Sequence, residues 1–192
     1  MSSLPAAFLT PEQYLEIERK AEYKSEYYRG EIFAIAGVGR SHNRIGINVT
    51  VQLESQLRGR AYELFSSDMR VCVSSTGLYT YPDIVVTCGE PQFRNDGYLD
   101  TLLDPAVIIE ILSPSTEAYD RGKKFELYRA LESLRDYILI ASERIQVEHF
   151  SRQSNGQWLF TAAGHLEDSI TVESIGCTLC LADIYEKIKL ER

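Results

Sequence analysis

The spacing of apolar residues changes period several times along the chain. Ile45, Val49, Leu53 and Leu57 recur at helical spacing after Ser41, which predicts an amphipathic helix capped by Ser41. Upstream, Thr10-Pro11-Glu12-Gln13 reads as a helix start. Thr10 caps, Pro11 takes the first helical position, and Gln13 closes a capping box. That helix is expected to run to about residue 23. Residues 26–36 read as a hairpin turning at Arg29-Gly30. After Gly59 the pattern shifts to short β-rich runs at 62–65, 69–73 and 83–87, followed by a polar loop over 93–104. Ala106-Val107-Ile108-Ile109-Glu110-Ile111-Leu112 is apolar on both faces, as in a central strand covered on both sides. Ser113-Pro114-Ser115 breaks it.

A helix is then expected over 115–134, and strands over 137–141, 145–150 and 158–162, with Asn155-Gly156 as a hairpin turn. Residues 170–179 read as a weaker strand and 181–190 as a closing helix. Two helices, a run of strands, a helix and more strands predict a mixed α/β (α+β) class, with helices packed on a central sheet. The length fits one domain over 1–192.

Glu110 interrupts this apolar pattern. A carboxylate inside Val-Ile-Ile-Glu-Ile-Leu is buried by its neighbours, so it must be protonated, salt-bridged or bound to a metal. Asp83, directly after Pro82 at the start of Asp-Ile-Val-Val, poses the same question. Two carboxylates at strand ends are suitable hard oxygen ligands for Mg²⁺; the bland alternative is that each meets a Lys or Arg. In the following helix, Leu127, Ala130, Leu131 and Leu134 form an apolar stripe. Asp120 and Lys123 fall near its centre and Lys124 on its flank, so either lysine could approach the carboxylates, and the helical wheel slightly favours Lys123.

Charge narrows the options. Lys plus Arg is 20 against 28 for Asp plus Glu, a net charge of -8, which argues against a protein that coats nucleic acid non-specifically. A local basic cleft is still possible; Arg58, Arg60, Lys123, Arg129 and Arg135 are the residues available for it. No apolar run reaches the roughly 20 residues that span a bilayer, and no signal peptide is visible, so no membrane role is expected. Cysteine usage fits a reducing cytoplasm: Cys72 and Cys88 sit in strand-like runs, and Cys177-x-x-Cys180 has no second pair to complete a zinc site.

Tyr81-Pro82-Asp83, followed later by Glu110-Ile111-Leu112, resembles the PD-(D/E)XK nuclease superfamily. More closely, the chain resembles the Uma-two type of restriction endonucleases. The matching stretches are Glu26-Tyr27-Tyr28-Arg29-Gly30-Glu31-Ile32, then His42, then Pro82-Asp83-Ile84-Val85-Val86. They continue through Pro105 to Thr116, then Asp120, Lys124, Tyr128 and Asp136-Tyr137-Ile138-Leu139-Ile140, so the resemblance covers about residues 10–188. One departure matters: the lysine expected two residues after the acid is Leu112. In the resembling family a lysine from the next helix takes that place, and its position matches Lys124.

The resemblance implies a restriction endonuclease-like fold, a central mixed β-sheet flanked by helices, and metal-dependent hydrolysis of DNA phosphodiester bonds. Asp83, Glu110 and Lys124 would be catalytic. Asp83, Glu110 and the Ile111 carbonyl would hold Mg²⁺ or Mn²⁺. Glu31 and Glu26 could complete the metal shell; Tyr128 could hydrogen-bond within the site, His42 could contact phosphate, and Asp120 and Lys123 could assist. A homodimer acting on duplex DNA is expected. The other class of reading is a catalytically silent nuclease-fold protein serving as an interaction or regulatory module.

Overall fold

The computed structural model describes residues 8–189, and the chain enters it through helix α1 (Pro11–Glu18). The capping box forms: Thr10 Oγ1 accepts from the Gln13 amide, and the Gln13 side chain accepts from the Thr10 N–H. The helix stops well short of residue 23 because tertiary partners claim its end. The Glu18 carboxylate accepts the Ser25 N–H at 2.8 Å, and the Arg19 guanidinium bonds Asp96 and Asp100. β1 (Ser25–Tyr28) and β2 (Glu31–Ala34) form the expected hairpin. Arg29 (φ 47) and Gly30 (φ 97) both adopt left-handed backbone, as this two-residue turn requires.

Helix α2 (Arg40–Leu57) starts at Gly39, so Ser41 lies inside the first turn and is not the cap. Gly39 has no side chain to bond the first-turn amides, and no capping hydrogen bond replaces it. Ile45, Val49, Leu53 and Leu57 are all buried, as their spacing predicts. Each apolar side chain of that size contributes about 1.5–3 kcal/mol when removed from water.

β3 (Tyr62–Ser66), β4 (Arg70–Val73) and β6 (Ile84–Cys88) match the predicted β-rich runs. β5 (Leu78–Thr80) and β7 (Thr101–Leu102) escape the sequence reading because each is too short to show alternation. β8 (Val107–Leu112) is buried at every position. The single helix expected over 115–134 is instead α3 (Glu117–Tyr119), a π-helical turn (Asp120–Lys124) and α4 (Phe125–Tyr128). It ends early because the chain must return beside β8: the Arg135 N–H donates to the Ala106 carbonyl, and Ser133 Oγ to the Pro105 carbonyl.

β9 (Asp136–Ala141), β10 (Val147–Arg152) and β11 (Trp158–Ala163) follow, the last two joined through Gly156 (φ 83). The stretch read as one weak strand is a hairpin, β12 (Ser169–Val172) and β13 (Cys177–Cys180). The closing helix α5 (Leu181–Ile184) is a single turn, and residue 190 of the predicted span lies outside the described residues. Cys177 is buried and Cys180 exposed; three apart on a strand, they face opposite sides and cannot pinch one ion.

The main sheet has the order β11-β10-β9-β8-β6-β3. β8 pairs in parallel with β9 and antiparallel with β6, so the sheet is mixed. One face carries Ile109, Ile111, Ile138 and Ile140 against α2, the β12–β13 hairpin and α5. The other carries Ile108 and Leu112 against Leu127 and Tyr128 of α4 and the buried side chains of β4 and β5. A second sheet, β2-β1-β5-β4-β7, stands on that face and brings the β1 hairpin toward Glu110.

Candidate functional site

Alternation along β8 decides where Glu110 goes. It shares a face with Ile108 and Leu112, so it points toward α4 and away from α2. Leu112 fills the slot two residues on with a buried apolar group. The cation comes from the π-helical turn. Lys124 Nζ lies 2.9 Å from Glu110 Oε1, 3.1 Å from Glu26 Oε1 and 3.5 Å from Asp120 Oδ1. Tyr128 Oη donates to the same Glu110 Oε1 at 2.9 Å. Thr80 Oγ1 donates to Glu26 Oε1.

One ammonium therefore faces three carboxylates in a nearly dry space; Glu110 is 4% exposed and Lys124 5%. Burial pushes Glu110 up; Lys124 pulls it back down, Asp120 and Asp83 add to the rise, and it settles at about 8. Burial also raises Asp120, against the pull of Lys124. Burial by itself would lower Lys124, but Glu110, Glu26 and Asp120 outweigh it and hold the ammonium well above its ordinary value. Burial, then Glu110, raises the Tyr128 hydroxyl well above its usual range, so it stays a donor. The cluster is short of positive charge.

Asp83 reaches this cluster through the backbone. The β6–β8 ladder ends at Ile84 opposite Ile109, and Pro82 offers no N–H to continue it. The Asp83 carboxylate takes over: Oδ2 accepts the Ile111 N–H at 2.7 Å, while Oδ1 lies 2.7 Å from His42 Nε2. Tyr81 anchors the preceding backbone, with its hydroxyl donating to Glu18 at 3.0 Å and accepting from Arg70 Nε at 2.9 Å. Asp83, His42 and Ile111 line a cleft of about 740 Å³ between the start of α2 and the 35–38 segment; Glu110 and Lys124 lie outside its walls.

A larger cleft of about 850 Å³ lies against the β12–β13 hairpin. Its buried Asp136 carboxylate is already satisfied by His149 Nε2 at 2.6 Å and by Ser174 Oγ, which pins the hairpin turn. The smaller cleft is the one that Asp83 lines.

The predicted residues thus sort into three groups. Glu110, Lys124, Tyr128, Asp120 and Glu26 meet around one ammonium, and Asp83, Ile111 and His42 meet beside them. Lys123 and Glu31 do not join: Lys123 pairs with Glu126 at the surface, and Glu31 is exposed on β2. The basic residues proposed for a cleft are scattered. Arg60 is spent on the carbonyls of Gln56, Ile175 and Gly176, Arg135 lines the other cleft, and Arg58 follows the far end of α2. Thr80 escaped the sequence reading; in Leu-Tyr-Thr-Tyr nothing marks its hydroxyl as facing a carboxylate.

Among the described residues, no three His, Cys, Asp or Glu side chains form a metal cage of their own. That disfavours a closed structural zinc site, which needs four such ligands. It does not conflict with Mg²⁺, which is held by one or two carboxylates and keeps several waters.

Residues 11–182 match the Uma2 family, described as "Putative restriction endonuclease". An uncharacterized protein of Synechocystis sp. is 35% identical over 183 residues, covering 95% of this chain and 94% of the relative. A second from the same organism is 38% identical over 153 residues, covering 80% and 86%. A crystal structure from Anabaena variabilis, described as a "putative nuclease belonging to DUF820", superposes with a TM-score of 0.76 at 21% identity, over 94% of this chain and 99% of that one. The likeness shows a shared fold, the restriction endonuclease-like mixed α/β arrangement.

Proposed function

This chain belongs to the Uma2 family of "Putative restriction endonuclease" proteins, and from that premise we propose that it is a metal-dependent endodeoxyribonuclease. The observation that carries the reading is the buried cluster in which, among the described residues, Lys124 alone faces Glu26, Glu110 and Asp120. Charge in such a space costs several kcal/mol per unpaired ion, so a cation beside Glu110 offsets a debt the protein already holds.

Asp83 and Glu110 would hold the ion. Lys124 and Tyr128 both bond Glu110 Oε1, which leaves Oε2 for another partner. Ile111 meets Asp83 through its N–H, and on an extended strand the carbonyl of the same residue would share that side. It is the natural third oxygen. When bound, Mg²⁺ or Mn²⁺ supplies an acidified water and a Lewis acid for the scissile phosphate. Lys124 then offsets negative charge as it develops, held in place by three carboxylates. Tyr128 and Thr80 fix the Glu110 and Glu26 carboxylates, so little reorganisation is needed during reaction. Glu26, not Glu31, is the acidic contribution of the hairpin.

The test is cleavage of supercoiled plasmid DNA with Mg²⁺, with Mn²⁺ and with chelator, for the parent and for Asp83→Asn and Glu110→Gln. Metal-dependent nicking that vanishes in both variants supports the reading. Nicking that survives in both variants ends it. A second reading, a silent nuclease fold used as an interaction module, draws on Leu112 in the lysine slot and on the net charge of -8. Calorimetric titration separates the two, because a silent module takes up neither Mg²⁺ nor Mn²⁺.

A further inference from the structure

His42 continues the buried stripe of α2 by one step, lying on the same side as Ile45 and Val49. A histidine there has a limited choice of partners. Its Nε2 lies 2.7 Å from Asp83 Oδ1, and its Nδ1 is fully buried with no hydrogen-bond partner among the described residues. Neither nitrogen is open to a ligand. We propose that His42 is the positioning residue of this site: in its Nε2–H tautomer it clamps the Asp83 carboxylate from one side while the Ile111 N–H clamps it from the other.

The chemistry requires this tautomer. A carboxylate oxygen accepts, so the nitrogen facing it must carry the proton. The mechanical consequence follows from the Asp side chain. Rotation about the bond to its carboxylate is soft, and a single donor would leave the group free to swivel. Separate donors on Oδ1 and Oδ2, from a helix and from a strand, fix its plane before any cation arrives. The ligand geometry is then built into the fold instead of being induced by the ion. His42 therefore acts through Asp83 and does not touch phosphate.

The effect of the clamp on a metal rests on the metal-site reading; the clamp itself does not. Two measurements on the whole chain keep these apart. Long-range ¹H–¹⁵N spectra of the metal-free protein report imidazole tautomers directly, and the chain has 3 histidines, so His42→Gln assigns the signal. A protonated Nε2 and bare Nδ1, perturbed in Asp83→Ala, is the expected result. The Nδ1–H tautomer, or an average of both, overturns the proposal. Calorimetric titration with Mn²⁺ then compares the parent with His42→Ala and His42→Gln.

Loss of a group that orients a ligand typically costs about 10–100-fold in metal affinity, and His42→Ala is expected in that range. His42→Gln, whose side-chain amide offers an N–H near the Nε2 position, should recover most of it. Parent-like affinity in His42→Ala, or a glutamine no better than alanine, overturns the donor role. A parent that shows the expected tautomer but takes up no Mn²⁺ upholds the clamp and removes the metal reading. If His42→Ala fails to fold, the parent spectrum and the glutamine variant decide.

Discussion

Lys124 Nζ sits 2.9 Å from Glu110 Oε1, and the two residues are carried by different elements on one face of the main sheet. Removing one partner of a buried ion pair costs about 3–5 kcal/mol, because the other is left uncompensated. Lys124→Met should lose that much in urea unfolding without metal. Adding Mg²⁺ should restore part of it, since the same carboxylates then gain a cation. A variant whose stability ignores Mg²⁺ would count against a metal at this cluster.

Tyr128→Phe isolates one hydrogen bond. The hydroxyl donates to a buried carboxylate, a bond worth about 1.5–3 kcal/mol. We expect a loss of that order on denaturant unfolding and a fall in turnover larger than any change in DNA affinity. Equal effects on both would mean that the ring only packs.

The Arg19 tie gives a pH dependence with a definite sign. Hydrogen bonds from the Arg19 guanidinium hold Asp100 and Asp96 below the ordinary carboxylate range. Folded values below the unfolded ones mean stability that is present at neutral pH and lost as pH falls through the folded values. Arg19→Met should therefore melt below the parent at pH 7, with the gap closing toward pH 2. A gap of constant size would show that the arginine contributes by packing alone.

DNA contacts, on this reading, belong at the start of α2. Arg40 is exposed there, and Arg44 lies one turn on and is half-buried. Neutralising one phosphate contact should lower the slope of log affinity against log salt by about 1. Arg40→Gln and Arg44→Gln should each show this, and Arg58→Gln, at the far end of the helix, should not. The opposite pattern would move the DNA path elsewhere.

Much of the fold could be read from the chain because local chemistry and tertiary context agree. The Thr10–Gln13 box, the Arg29-Gly30 turn and the wholly apolar β8 each carry their own signal. Where the two disagree, the reading failed. Ser41 has the chemistry of a cap, yet the helix starts at Gly39, which lets α2 reach Asp83 through His42. Glu26 and Glu31 belong to one hairpin and look alike in sequence. What separates them is pairing: Glu26 is on β1, between β2 and β5, whereas Glu31 is on the edge strand. The family match pointed to Lys124, whereas the helical wheel's slight preference for Lys123 fails for a geometric reason. A wheel drawn at a uniform 100° per residue assumes an α-helix, and the segment before Phe125 is wound as a π-helical turn. The buried residues of α4 are Leu127 and Tyr128; Lys124, three and four residues before them, shares their side, whereas Lys123 pairs with Glu126 at the surface.

The π-helical turn ties the site to residue count as well as to residue type. It fits one more residue into a turn than an α-helix holds, a form that often marks functional positions. Removing a single residue within it, for example Gly122, would let the segment relax to ordinary α-winding with every side chain of the cluster still encoded. With Lys124 held in register with Tyr128 on the anchored α4, Asp120, upstream of the deletion, would then swing by about 100° around the axis and leave Lys124. A one-residue deletion here is therefore a more selective lesion than most substitutions, and a sequence comparison that counts spacing from Glu110 will misplace the lysine in any relative that lacks the extra residue.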